Sequence, residues 1–279
     1  MRLLLDFDGT ITKEDTIGEL GQAAIQFHRQ TSGQDLEPKW TQVVQHYIDG
    51  LQKYRTGYHI PECDRLSLHE ELQYLEALKH MEEASLQRLE QSGIFGGLSD
   101  EKLFGMGRDA VQSGRVLLRD GFTNMMQLAR ERKWEVAIIS VNWSRAFIRG
   151  ILHPLDLPVI ANEIGQDGAV KGPQILGETM TNCTDKRDAM SRVVEQGASN
   201  MQTLYFGDST TDMQCLLEGG IVMSNDETSS LMRTLRRIGV SVPHVGSYQQ
   251  DAKIHWARNF EEVLDSGILD TQKDEQDAA

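Results

Sequence analysis

Asp6 and Asp8 stand two residues apart at the end of an apolar run, RLLLDF, and are followed by Gly9 and Thr10. Residues i and i+2 of a strand point the same way and lie roughly 6.5 Å apart, so both carboxylates can address one small site. Taken alone, the pattern also suits a strand-end turn, because Asp and Gly are favoured in turns. Further strand ends change that balance. EVAIIS ends in Ser140, and QTLYFGD ends in Asp208, with Asp212 one turn later in GDSTTD. An acid pair, a hydroxyl and a second acid pair make a hard-cation site with a neutral hydrogen-bond donor beside it. Carboxylate oxygens without His or Cys suit Mg²⁺ above all, which keeps waters and shares phosphate oxygens. Lys186, in TDKRDAM, sits at the start of a helical pattern, where an anion is favoured; without the other elements it would read as a solvated surface lysine.

These residues need strands to carry them, and the chain supplies an alternation. After the first strand, residues from about Glu14 to Gly114 follow a helical period: Trp40, Val43, Val44, Tyr47, Ile48 and Leu51 form one stripe. Ser99 followed by Asp100 and Glu101 reads as a helix start. Beyond Val116, EVAIIS, LPVIANEI, QTLYFGD and GIVMS read as strands, separated by helices in SRAFIRGIL, DKRDAMSRVVEQ (opened by Asp185), TDMQCLLEG and SSLMRTLRRIG. Alternating strands and helices predict an α/β fold with a doubly wound, mainly parallel sheet of Rossmann type, and ligands bind such sheets at the carboxyl ends of the strands. The expected organisation is an α/β core of residues 1–13 and 116–272, an inserted all-helical domain over 14–115, and a disordered charged tail over 273–279.

Composition narrows the function classes. The 279 residues carry 28 Lys plus Arg against 42 Asp plus Glu, a net charge of −14. That balance disfavours nucleic acid or an anionic membrane as partner, since a polyanion is repelled unless a basic patch intervenes. The densest basic clusters, Arg130, Arg132 and Lys133, and Arg233, Arg236 and Arg237, read as outer faces or ends of helices. Cys63, Cys183 and Cys215 are odd in number and widely spaced, and form no Cys-x-x-Cys motif, which fits a reducing compartment. No charged leader with an apolar region opens the sequence, and no run of ~18 apolar residues suggests a span. The expectation is a cytoplasmic protein acting on a small molecule, with no prediction of oligomeric state.

With these residues in view, the chain resembles the haloacid dehalogenase superfamily, in its phosphatase branch with a helical cap inserted after the first motif, as in phosphoserine-phosphatase-like members. The resemblance rests on DFDGTIT, on Ser140 in IISVNWS, on Lys186 in TDKRDAM and on GDSTTD. All four motifs occur in the family's order and strand or helix context, and core and cap account for nearly the whole chain. It implies that Asp6 is a nucleophile forming an aspartyl-phosphate and that Asp8 protonates the leaving alkoxide, then activates water. It further implies a Mg²⁺ cofactor held by Asp6, the backbone carbonyl of Asp8 and Asp208, with Asp212 as a further ligand or orienter, and phosphate held by Thr10, Ser140 and Lys186. Dehalogenases of this fold lack the second carboxylate, because halide leaves without a proton; Asp8 therefore favours phosphate-ester hydrolysis.

The implied substrate is a small phosphorylated metabolite: a sugar or polyol phosphate, a phosphoserine-like amino-acid phosphate or a nucleoside monophosphate. Asp15, Asn142 and Trp143 are candidate specificity residues. The short Asp15, and DFDGT in place of a serine-bearing D-x-D-S-T, count against phosphoserine itself. Trp40 and Tyr47 read as core residues of the helical stripe. GQDGAVKG reads as a hairpin turn, not a phosphate loop, and the eight His show no ligand spacing. The rival reading is a non-catalytic phospholigand-sensing or partner-binding protein on the same scaffold, for which loss of Asp6 or Asp8 would be expected.

Overall fold

The computed structural model describes residues 1–198, 201–247 and 252–271. Its centre is a parallel six-stranded sheet in the order β3-β2-β1-β6-β7-β8. Strand β1 (Arg2–Leu5) lies between β2 (Glu135–Ile139) and β6 (Thr203–Gly207), with Leu5 opposite both Ile138 and Phe206. The three strand ends that carry Asp6 and Asp8, Ser140 and Asp208 are thus neighbours at the middle of the sheet. Every residue of β1 is buried, as expected for a strand covered on both faces. Arg2 is tolerated because its Nε donates to Glu135 on the next strand at 2.9 Å. The periphery comprises β3 (Val159–Ile160), β7 (Gly220–Met223) and β8 (Ile254–Ala257).

Helices α1 (Ile17–Ser32), α2 (Glu37–Gly57), α3 (Leu68–Ala77), α4 (Lys79–Ser92) and α5 (Asp100–Gln112) intervene between β1 and β2. Local signals set their ends: Ser67 and Glu70 form a capping box at α3, and the Ser99 hydroxyl caps α5 by accepting from Lys102 N. The core helices are α6 (Phe122–Glu131), α7 (Arg145–Leu152), α8 (Cys183–Gln196), α9 (Met213–Leu217), α10 (Ser230–Arg237), α11 (Phe260–Asp265) and α12 (Ile268–Thr271). Among the described residues, no helix is long and apolar enough to cross a membrane.

Three contacts fix the inserted helices against the core. Gly107 of α5 and Gly150 of α7 let the two backbones touch: a methyl on Gly107 would overlap the Phe147 carbonyl, and one on Gly150 the Phe104 carbonyl. Arg65 and Glu71, 4% and 2% exposed, pair at 2.8 Å, and Arg237 of α10 reaches across to the same Glu71 carboxylate. Lys79, at the start of α4, pairs with Asp185 of α8 at 2.7 Å. Removing one member of such a buried pair costs on the order of 3–5 kcal/mol, because the other charge is left uncompensated.

The fold departs from the sequence expectations in three places. LPVIANEI is two short strands, the second of which, β4 (Glu163–Ile164), leaves the main sheet and pairs antiparallel with β5 (Val170–Lys171) across the QDGA turn. Helix α8 opens at Cys183 with Asn182 as its cap, accepting from Asp185 N at 2.9 Å; an Asx side chain one position before the helix does the capping that Asp185 was expected to do. Arg237 ends α10, as expected of a helix end, and from there bridges to Glu62 and Glu71. Strand β8 and helices α11 and α12 follow the last element expected from sequence. The expected disordered tail lies outside the described residues.

Candidate active site

Asp6 follows the last residue of β1, and its backbone N–H donates to Phe206 O at 2.8 Å, which extends the sheet by one step. Phe7 is completely buried, so strand alternation turns Asp6 and Asp8 together away from the core. The chain then turns at Gly9 with φ +72, a left-handed conformation that favours glycine. A methyl there would overlap the carboxylate of Asp208. Gly9→Ala should therefore displace Asp208 while leaving the sheet formed. The expected result is a protein of near-native far-UV circular dichroism that has lost any rise in melting temperature induced by a divalent cation and at least ~10²-fold in any activity of this site, the scale of a reacting constellation moved by about an ångström.

Beneath Asp6 lies a buried ion cluster. Lys186 is completely enclosed, and its ammonium donates to Asp6 Oδ1 at 2.6 Å and Asp212 Oδ1 at 2.5 Å. Burial disfavours the ammonium, but Asp212 and Asp6 outweigh that and raise its pKa, so the group stays charged. Burial and the Asp212 carboxylate push the Asp6 pKa well up, against the pull of Lys186. For Asp208 the same two causes push it up to about 7. Asp212 is spoken for on both oxygens: Oδ1 accepts from Lys186 and from the Tyr205 hydroxyl at 2.7 Å, and Oδ2 from the backbone N–H groups of Asp208 at 3.2 Å and Ser209 at 3.1 Å.

Asp8 has a separate environment. Its Oδ1 accepts from the Thr16 N–H at 2.8 Å and hydroxyl at 2.6 Å, and its Oδ2 from Asn142 Nδ2 at 2.7 Å. Burial and the nearby Asp15 carboxylate push its pKa up to about 6, against those hydrogen bonds. A carboxyl fixed in orientation and titrating near neutrality is suited to trading a proton.

A cavity of about 540 Å³ opens over these groups, lined by Asp6, Asp8, Asp15, Ser140, Asn142, Trp143 and Asp208 among others. Seven of the expected site residues therefore share one cavity; Thr10, Lys186 and Asp212 lie outside its lining. The Thr10 hydroxyl, expected on phosphate, donates to Asp208 at 3.2 Å and is wholly buried. Asn142, expected as a specificity residue, holds Asp8. Trp40, buried in the core as expected, also lines the cavity from α2 together with Tyr47; the apolar stripe of that helix is broader than the surface packed against it, and Val44 and Ile48 are 37% and 52% exposed.

Four residues that the sequence reading passed over shape the site. Thr16 and Tyr205 orient Asp8 and Asp212, as above. Arg119, 7% exposed, donates to the carbonyls of Gly9, Thr10 (3.0 Å) and Arg258 (2.7 Å) and so fixes the turn that carries Asp8. Glu82, from α4, lines the cavity and accepts from the Tyr47 hydroxyl at 3.0 Å. Tyr205 stood inside a quoted motif; the others carry no local signal.

One oxygen each from Asp6, Asp208 and Asp212 fall within 4.8 Å of one another. An all-carboxylate set, in which burial and the Asp212 charge raise the pKa values of Asp6 and Asp208, fits a hard divalent cation, which would offset the repulsion among them. Asp6 and Asp208 have the freer oxygens, and the saturation of Asp212 favours an orienting role for it.

Residues 3–217 match the family profile of haloacid dehalogenase-like hydrolases. The chain belongs to this family. A CTO1 family protein of Schizosaccharomyces pombe is 30% identical over 77% of this chain and 78% of its own length. The bifunctional TH2 protein, mitochondrial, of Arabidopsis thaliana is 26% identical over 90% of this chain, which spans 43% of that relative. Among solved structures, a phosphoserine phosphohydrolase-like protein of Francisella tularensis superposes with a TM-score of 0.51 at 17% identity, covering 95% of this chain and 98% of that one. Cytosolic 5'-nucleotidase IIIB bound to cytidine gives 0.56 at 14% identity, covering 95% and 84%. At such identities the likeness is one of fold.

Proposed function

We propose that this protein hydrolyses a small phosphomonoester in a Mg²⁺-dependent reaction through an aspartyl-phosphate on Asp6. The observation that carries this reading is the division of labour between two carboxylates on one strand end. Asp6 is held by Lys186, and Asp8 by Thr16 and Asn142 at a pKa of about 6. An Asp6 oxygen attacks phosphorus and the P–O bond to the alcohol breaks; Asp8 gives its proton to the departing alkoxide. Asp8, now ionised, takes a proton from water, whose oxygen attacks phosphorus and releases phosphate from Asp6. Ser140 offers its hydroxyl to the transferring phosphoryl oxygens, while Lys186 holds the Asp6 carboxylate in place. When bound by Asp6, Asp208 and the Asp8 carbonyl, Mg²⁺ supplies charge neutralisation between anionic nucleophile and anionic ester. The inserted helices over 14–115 act as the cap that excludes water and selects the alcohol.

The test is p-nitrophenyl phosphate hydrolysis with Mg²⁺ and with chelator. Metal-dependent release of p-nitrophenol supports the reading; none from folded protein points to phospholigand binding without turnover. Metal binding itself has a pH signature. Because Asp208 is pushed up to about 7, protons occupy the site below that pH and must be displaced by the cation. Apparent Mg²⁺ affinity should fall by up to about tenfold per pH unit below 7 for each proton displaced. The Mg²⁺-induced rise in melting temperature should be larger at pH 7.5 than at pH 6.0, as differential scanning calorimetry would show.

A further inference from the structure

The cavity contains two acids that the chemistry leaves unused. Asp15 accepts from the Ile17 N–H at 2.8 Å, and Glu82 from the Tyr47 hydroxyl at 3.0 Å. Burial raises the pKa values of both carboxyls. The charges of Glu82, Arg55 and Asp15 are all felt at the Tyr47 hydroxyl, so the two acids flank the same tyrosine. Among the described residues, no Lys, Arg or His lines the cavity.

Beside the hydroxyls of Ser85, Thr181, Ser209 and Thr211, the wall carries an apolar group of Trp40, Val43, Val44, Leu86 and Trp143. Trp40 and Trp143 meet edge to face, ring centroids 6.4 Å apart at 75°; Gly21 of α1 makes room for Trp40, since a methyl there would press on the indole at 2.6 Å. Trp143 is held from behind by Phe95 at 6.1 Å. Aromatic faces with unpaired carboxylates beside them attract a positive charge and repel a negative one. A second carboxylate or phosphate on the alcohol would find no lining counter-charge among the described residues.

We infer that the ester's alcohol carries a flat ring with a cationic nitrogen, and no second anionic group. The ring lies against Trp40 and Trp143, and the positive charge lies between Asp15 and Glu82. This rests on the phosphatase reading above and deepens it. Phosphoryl charge is met at one end by Lys186 and the cation site, and the alcohol's charge at the other by the two acids.

Three matched esters test it: benzyl phosphate, its para-trimethylammoniomethyl derivative and its para-carboxylate derivative, each assayed with Mg²⁺. The expected order of kcat/KM is cationic, neutral, anionic, with the cationic ester at least about tenfold above the neutral one, the scale of a partly desolvated cation–π contact with a nearby carboxylate. Glu82→Gln and Asp15→Asn should each reduce the cationic-to-neutral ratio by about threefold or more, with Mg²⁺-induced thermal shifts showing that both variants remain folded. Equal kcat/KM for the three esters, or preference for the anionic one, overturns the inference and leaves the phosphatase reading intact. Failure of the folded wild-type protein to hydrolyse any of them, together with p-nitrophenyl phosphate, overturns the phosphatase reading and this inference with it.

Discussion

Asp6→Asn should abolish phosphatase turnover, by ~10⁴-fold or more on the scale of losing a covalent nucleophile, without unfolding the protein. The two halves of this result have separate causes. An amide oxygen can still accept from Lys186, whose ammonium donates to Asp6 at 2.6 Å, so the buried hydrogen bond survives. The lost charge was itself unfavourable, since burial and Asp212 hold the Asp6 pKa well above the ordinary carboxylate range. A melting temperature equal to or above that of the wild type is therefore expected, with a smaller Mg²⁺-induced rise. Calorimetry beside a p-nitrophenyl phosphate assay reads both halves. Near-normal turnover in this variant would remove the proposed mechanism.

Lys186→Met should strike stability as hard as activity. The lysine is completely buried, and its removal leaves Asp6 and Asp212 facing each other and Asp208 without a counter-charge. Breaking a buried pair in this way costs on the order of 3–5 kcal/mol. For a chain of this size that is roughly 10 °C in melting temperature. The sign of the pH dependence follows from the direction of the shifts. Carboxyls whose pKa values are raised on folding bind more protons folded than unfolded, so stability falls as pH rises through those values. The deficit of Lys186→Met relative to wild type should thus be largest at pH 8 and shrink toward pH 5.5. A deficit independent of pH would show that the lysine acts through packing alone.

The contrast between these variants matches the way the site is assembled. Asp6 is the group nearest the cavity, and little rests on its charge. Lys186 lies below it, joining β1, α8 and the turn after β6. The same logic explains why Asp212 belongs to the scaffold: four separate donors converge on it. An acid so fully engaged has little left to offer a metal, although its spacing from Asp208 made it a ligand candidate in sequence.

The sequence by itself determined the order of strands and helices in the core, and the strand ends at which chemistry would gather. It could do so because both are local. Burial on two faces makes β1, β2, β6 and β7 short apolar runs, and loss of that burial at their carboxyl ends shows as Asp, Ser or Gly. Strand β8 escaped because a histidine interrupts the apolar run of Ile254–Ala257. Only the tertiary structure decided which distant groups meet. Asn142 reaches Asp8 across 134 positions and Arg119 reaches Gly9 across 110, and no local pattern encodes such a pairing. The cavity wall was hidden for a related reason: an apolar helical stripe reports that a face avoids water, whether a neighbouring helix or a ligand covers it. Trp40 and Tyr47 therefore read as core, which Trp40 is, and only the packing of α2 against α4 placed them, with Glu82, around one space beside Asp6 and Asp8.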